Sequence, residues 1–144
     1  MFYKDSIIIE KNRSELWRIF LDKDYTEFWQ PFKSESKNLH GEEGKEGYIV
    51  MNTYKSNQQQ TQVREKIQSI NDYNATVISQ YNGATVKTNH EFEVVDKNRT
   101  LYRITKNIQY DSWIKNILNI YLIDQYKKET RKVLTSFKFL CENI

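Results

Sequence analysis

The chain has 144 residues with 22 basic and 19 acidic side chains, and a net charge of +3 this small and dispersed argues against a nucleic-acid partner. That length suits one domain, residues 1–144, able to bury roughly two-thirds of its unfolded surface. Hydrophobic content is 38% but aromatic content is 14%, with ten Tyr and seven Phe, so bulky rings must carry the core.

In chain order, Phe2–Glu10 reads as a strand, with Ile7 and Ile9 on one face and Ile8 on the other. Charges interrupt its apolar run, so it does not read as a signal peptide. The single Cys141 allows no intrachain disulfide and fits a reducing, cytoplasmic setting. Asn12-Arg-Ser-Glu15 has the form of a capping box: Asn12 accepts from the backbone near Glu15, and Glu15 reaches back to an orphan amide. The helix that follows buries Leu16, Trp17, Ile19 and Phe20. A second short helix is expected from Asp24, ending before Pro31, which disfavours helical geometry at Gln30.

Lys33–Leu39 reads as a weaker strand, and His40–Gly47, with glycines at 41, 44 and 47, as a surface loop. Period-two patterns then mark strands at Tyr48–Lys55, Thr61–Ile70, Tyr73–Tyr81, Thr85–Asp96 and Arg99–Ile108. Asn82-Gly83 suits a type I′ hairpin, and Asn71-Asp72 and Asp96-Lys-Asn98 supply other turns. From Asp111 onward the chain lacks Gly and Pro and reads as one long helix spanning about 45 Å. Its apolar stripes, Trp113, Ile114, Ile117, Leu118, Ile120 and Tyr121, then Tyr126, Val133, Phe137, Leu140 and Ile144, lie on nearly opposed sides. The expectation is a kink, bulge or break near 123–127, the alternative being a straight helix buried on most sides of its first half. WIKNILNIYLI is too short and too polar to cross a membrane.

The order strand, two helices, six antiparallel strands, long helix resembles the START-like superfamily, also called SRPBCC, which includes polyketide cyclases/dehydrases, lipid-transfer domains and many bacterial proteins. The resemblance rests on Arg13-Ser-Glu-Leu-Trp17, on Asp22 to Trp29-Gln-Pro31, on Gly47 before a strand, and on Phe137-Lys-Phe-Leu-Cys-Glu142. It implies an α+β helix-grip fold: a curved seven-stranded antiparallel sheet around the terminal helix, with a cavity for an apolar ligand between them. Large side chains would shrink that cavity, since a twisted sheet cannot lie flush on a rod.

Strand alternation places Val86, Thr88, His90, Phe92 and Val94 on one face, and Val63, Glu65 and Ile67 on another inward face. A buried carboxylate and imidazole each need a partner, so a Glu65–His90 pair, or ligation through Thr88, Asn52 or Tyr54, is expected beside the blander reading of a satisfied core histidine. The candidate ligand-binding set is Tyr48, Asn52, Tyr54, Val63, Glu65, Thr88, His90, Phe92, Trp113, Ile117 and Tyr121. Trp17 and Trp29 read as core, and Cys141 as an inert buried thiol. Lys127, Lys128, Arg131, Lys132 and Lys138 read as a solvated helix face. His40 stands without a nearby Cys or second His, so no metal site is expected, and no nucleotide-binding or nucleophile-elbow motif implies a cofactor or known chemistry.

Three functions follow, in order. The first is non-catalytic binding of a small hydrophobic ligand, with Ile114–Ile123 as a lid. The second is a protein–protein surface on that same segment, giving a homodimer or a docking site like that of chaperone-regulator members of the superfamily. The third is a cyclase- or dehydratase-type enzyme using Glu65 and His90.

Overall fold

The computed structural model describes residues 1–30, 32–56 and 59–144, with the side chains of 56, 59 and 114–122 set aside. Strand β1 (Phe2–Ile9) leads into helices α1 (Arg13–Leu21) and α2 (Lys23–Trp29). Strands β2 (Lys33–His40), β3 (Ile49–Ser56), β4 (Gln59–Asn71), β5 (Asn74–Tyr81), β6 (Ala84–Asp96) and β7 (Arg99–Tyr110) precede helix α3 (Trp113–Glu142). The strands form one seven-stranded sheet in the order β1-β7-β6-β5-β4-β3-β2, with every neighbouring pair antiparallel. The sheet is a meander from β2 to β7, onto which the first strand closes.

Local chemistry explains the boundaries. Asn12 Oδ1 accepts the Glu15 amide at 3.0 Å, so α1 has its cap, but the return bond from Glu15 is not formed and only half of the capping box exists. Asp22 ends α1 and also starts α2, its Oδ1 accepting the Asp24 amide at 2.9 Å. The second helix is therefore capped by Asp22 and begins at Lys23, one residue before the expected start. At the β5–β6 hairpin Asn82 and Gly83 take φ of 46° and 72°, which suits a type I′ turn. The β4–β5 turn is centred on Asp72 and Tyr73, φ 46° and 63°, one residue later than the Asn71-Asp72 reading. An aromatic residue in the left-handed region is strained. Tyr73 is held there by Arg13, whose guanidinium lies 4.0 Å from its ring centroid, and by the edge of Trp17.

Helix α3 runs for 30 residues as one element, so of the kink, bulge or break expected near 123–127 the chain does not take the break. Its inward line runs through Thr130, Leu134, Phe137 and Cys141, at spacings of three and four, each no more than 1% exposed. Leu134 and Cys141 thus lie at the centre of the stripe, whereas Ile144, read as part of it, is 53% exposed beyond the last turn.

Two packed clusters hold helix to sheet. One joins Ile9, Leu16, Ile19, Trp29, Phe92, Tyr102, Ile104, Leu134, Phe137 and Cys141. Phe92 lies flat on Tyr102, ring centroids 4.4 Å apart, and Phe137 meets Tyr102 edge-on at 5.2 Å. The other joins Tyr3, Val86 and Ile108, with Tyr81, Tyr110, Ile123 and Tyr126 packed against it. Here the hydroxyls of Tyr81 and Tyr110 both meet that of Tyr126, at 2.9 and 2.8 Å, and Tyr3 reaches Thr130 at 2.7 Å. The basic residues of α3 do more than face solvent. Arg131 bonds Asp5 and the Ser6 carbonyl, and Lys138 donates to the Ile8 carbonyl, so both tie the helix to β1. Among the described residues no helix is long and apolar enough to cross a membrane.

Candidate functional site

Between the two clusters the sheet curves away from α3 and leaves a cavity of about 1440 Å³. The aromatic side chains do not fill it, because Phe92 and Tyr102 are spent in the core cluster below. Strands β3 to β7 form its floor and walls, α2 contributes Trp29, and α3 residues 125–135 cover it.

Glu65 lies in this wall. Its Oε1 accepts from Asn52 Nδ2 at 3.0 Å and from the Tyr54 hydroxyl. All three side chains share the concave face of neighbouring antiparallel strands, where Glu65 pairs with Val50, Asn52 with Val63 one same-face step along, and Tyr54 with Thr61 two steps along. Burial, and then the charge of Glu65, hold the Tyr54 phenol well above its usual value, so it remains a donor. Ser36 completes the chain by donating to Asn52 Oδ1 at 2.6 Å.

His90 also lines the cavity, but its Nδ1 meets the Tyr102 hydroxyl at 2.8 Å. Burial, with Lys106 adding its charge, pushes the imidazole down to about 3. The expected Glu65–His90 pair is therefore not formed. The two side chains stand on strands separated by β5, and each has a nearer partner.

Tyr48, Asn52, Tyr54, Val63, Glu65, Thr88 and His90 all line the cavity. Phe92 does not. It lies one step beyond His90 on β6, where the sheet is covered by Phe20 and Phe137, and is 3% exposed within the core. Trp113, the first residue of α3, is 71% exposed and stands outside the lining. Ile117, Tyr121 and most of the Ile114–Ile123 face fall outside the described side chains. Trp29 lines the cavity as well as the core, and its Nε1 is buried without a partner. Sequence reasoning missed Lys106 and Glu129 as cavity residues. The first was readable from the inward series Tyr102, Ile104, Lys106, Ile108. Among the described residues no three metal-ligating side chains cluster.

No protein-family model matches the sequence, and no curated protein matches it. Solved structures do. The chain superposes on the Zhui aromatase/cyclase from a Streptomyces species with a TM-score of 0.78 at 9% identity, covering 99% of this chain and 93% of that one. A START superfamily protein from Mycobacterium smegmatis gives 0.72 at 10% identity, over 92% and 93% of the two chains. Ara h 8.0201 gives 0.76 at 12% identity, over 100% and 99%. The chain thus has the helix-grip fold of the START-like, SRPBCC type.

Proposed function

We propose that residues 1–144 act as one START-like domain that binds a small hydrophobic molecule, lipid-like or aromatic, between the sheet and α3 without transforming it. The observation that carries this reading is the cavity of about 1440 Å³, which is roomier than most small-molecule sites and walled in large part by Val50, Val63, Ile67, Val77 and Val86. Among its inward polar groups, Asn52, Tyr54 and Glu65 are hydrogen-bonded to one another and His90 to Tyr102, as suits a site that orients a ligand.

The test is native mass spectrometry of the protein as purified, before and after extraction with organic solvent, with titration by the neutral fluorophore phenyl-naphthylamine. A reproducible adduct that extracts, or fluorophore binding that Val63→Trp weakens at least about tenfold by filling the cavity, supports the reading. An apo mass together with no fluorophore binding overturns it.

The alternative is a homodimer or partner-docking surface on residues 113–123, favoured by the 71% exposure of Trp113. A mass that doubles with protein concentration would move the weight there. A cyclase or dehydratase reading needs Glu65 and His90 to act on one substrate, and each is already committed to a different partner.

A further inference from the structure

A lysine stands in the cavity wall, on the last of its lining strands. Lys106 lies on the concave face of β7 between Ile104 and Ile108, which are 1% and 0% exposed. Across the ladders its neighbours are Tyr3 on β1 and Thr88 on β6. The surface it retains borders the cavity. Among the described residues it has no hydrogen bond and no ion pair. Burial draws its ammonium below the usual lysine range, and Glu129 and Glu65 oppose that only through space. Glu65 is occupied by Asn52 and Tyr54, and Glu129 takes a long bond of 3.5 Å from Gln125. A cation in such a wall without a contacting counter-ion carries a desolvation penalty, which an anion brought by a ligand offsets.

The rim has the same sign. Lys23, Lys55 and Lys128 are exposed lining residues and Lys33 is half-buried; none makes an ion pair among the described residues. Arg131 is taken by Asp5, and Lys132 lies 4.9 Å from the centroid of the Phe32 ring. Glu43 is the exposed carboxylate of this rim. Such a basic mouth concentrates anions and speeds their entry.

We propose that the ligand of this cavity is an apolar molecule with one anionic head group, and that Lys106 receives that head. The inference rests on the cavity-binding reading and narrows it. The apolar body lies against the Val and Ile wall, while the ammonium donates up to three hydrogen bonds to the anion. Thr88, beside Lys106 on the neighbouring strand, adds a hydroxyl within the same patch.

The experiment titrates decanoate, decyl phosphate, decanol and decylamine into wild-type protein and into Lys106→Met, by calorimetry. The expected wild-type result is that one or both anions bind at least about tenfold tighter than decanol, and decylamine more weakly still. In Lys106→Met, anion and alcohol converge while decanol affinity stays within about twofold, which also shows that the variant cavity is intact. Whichever anion binds more tightly identifies the head group as carboxylate or phosphate. Equal wild-type affinities for anion and alcohol overturn the inference and leave the cavity reading standing. So does an anion preference that survives Lys106→Met, since the rim lysines would then be its source. Failure of all four probes overturns both readings. The wild-type comparison stands even if the variant does not fold.

Discussion

His90 Nδ1 and the Tyr102 hydroxyl are 2.8 Å apart, and Tyr102 itself is wholly buried under Phe137. The pair holds a neutral imidazole in the wall of the cavity. Its pH consequence has a definite sign. Burial lowers His90 from an ordinary 6.5 to about 3. Above pH 6.5 neither folded nor unfolded protein holds the proton. Between 6.5 and 3 only the unfolded chain does, so stability falls as the pH falls through that window. The slope contributed is at most about 1.4 kcal/mol per pH unit. Urea denaturation at several pH values should show it, and His90→Gln should flatten it. An unchanged slope in the variant would mean that the imidazole titrates normally.

Phe137 and Phe139 differ by two positions and by everything else. The first is fully buried among Phe20, Trp29, Phe92 and Tyr102, and the second is 72% exposed. Phe137→Ala should cost about 3–5 kcal/mol through lost contacts and a cavity, whereas Phe139→Ala should stay within about 0.5 kcal/mol. Chemical denaturation of both decides it.

Cys141 is 0% exposed, and burial pushes its thiol up to about 12. Native protein at neutral pH should react with a thiol reagent many times more slowly than protein unfolded in guanidinium. Rapid labelling of the native state would mean that the last turns of α3 open easily.

Gly41 takes φ of +80°, and a Cβ added there would stand 3.2 Å from the Tyr48 Cα. Gly41→Ala should destabilise by about 1–3 kcal/mol, because strain and crowding act together. Gly44, with no atom within 4 Å of an added Cβ, isolates the strain alone and should lose less. Thermal melts of the two variants give the comparison.

Most of the architecture was legible because the strands alternate cleanly and the turns carry Asn, Asp and Gly at the right places. Alternation gives the face of a residue but not what lies above it. Alternation therefore points Glu65, Thr88 and His90 into the cavity that they line, whereas Phe92, on the same face of β6 as His90, is covered by Phe20 of α1 and Phe137 of α3. The Glu65 partners were not legible either, since they depend on the register of β3 against β4, which sets Glu65 opposite Val50 and brings Asn52 and Tyr54 next in line on the same face. Opposed stripes suggest a kink, bulge or break near 123–127, and of these the break is not taken, since α3 is one element from Trp113 to Glu142. Lys106 went unnoticed because a lysine in a strand is ordinarily read as facing solvent, although its even spacing with Ile104 and Ile108 already placed it inside.

The pairing of β1 with β7 has a consequence for synthesis. Phe2 lies opposite Asn107 and Ile9 opposite Thr100, so the first strand made has no partner until the seventh has left the ribosome. The meander from β2 to β7 can zip up hairpin by hairpin during that interval, with β1 waiting as an unpaired apolar segment. Growing chains should therefore be most exposed to aggregation and to chaperone capture just before residue 100 emerges, and α3 can complete the core only after release of that strand from waiting.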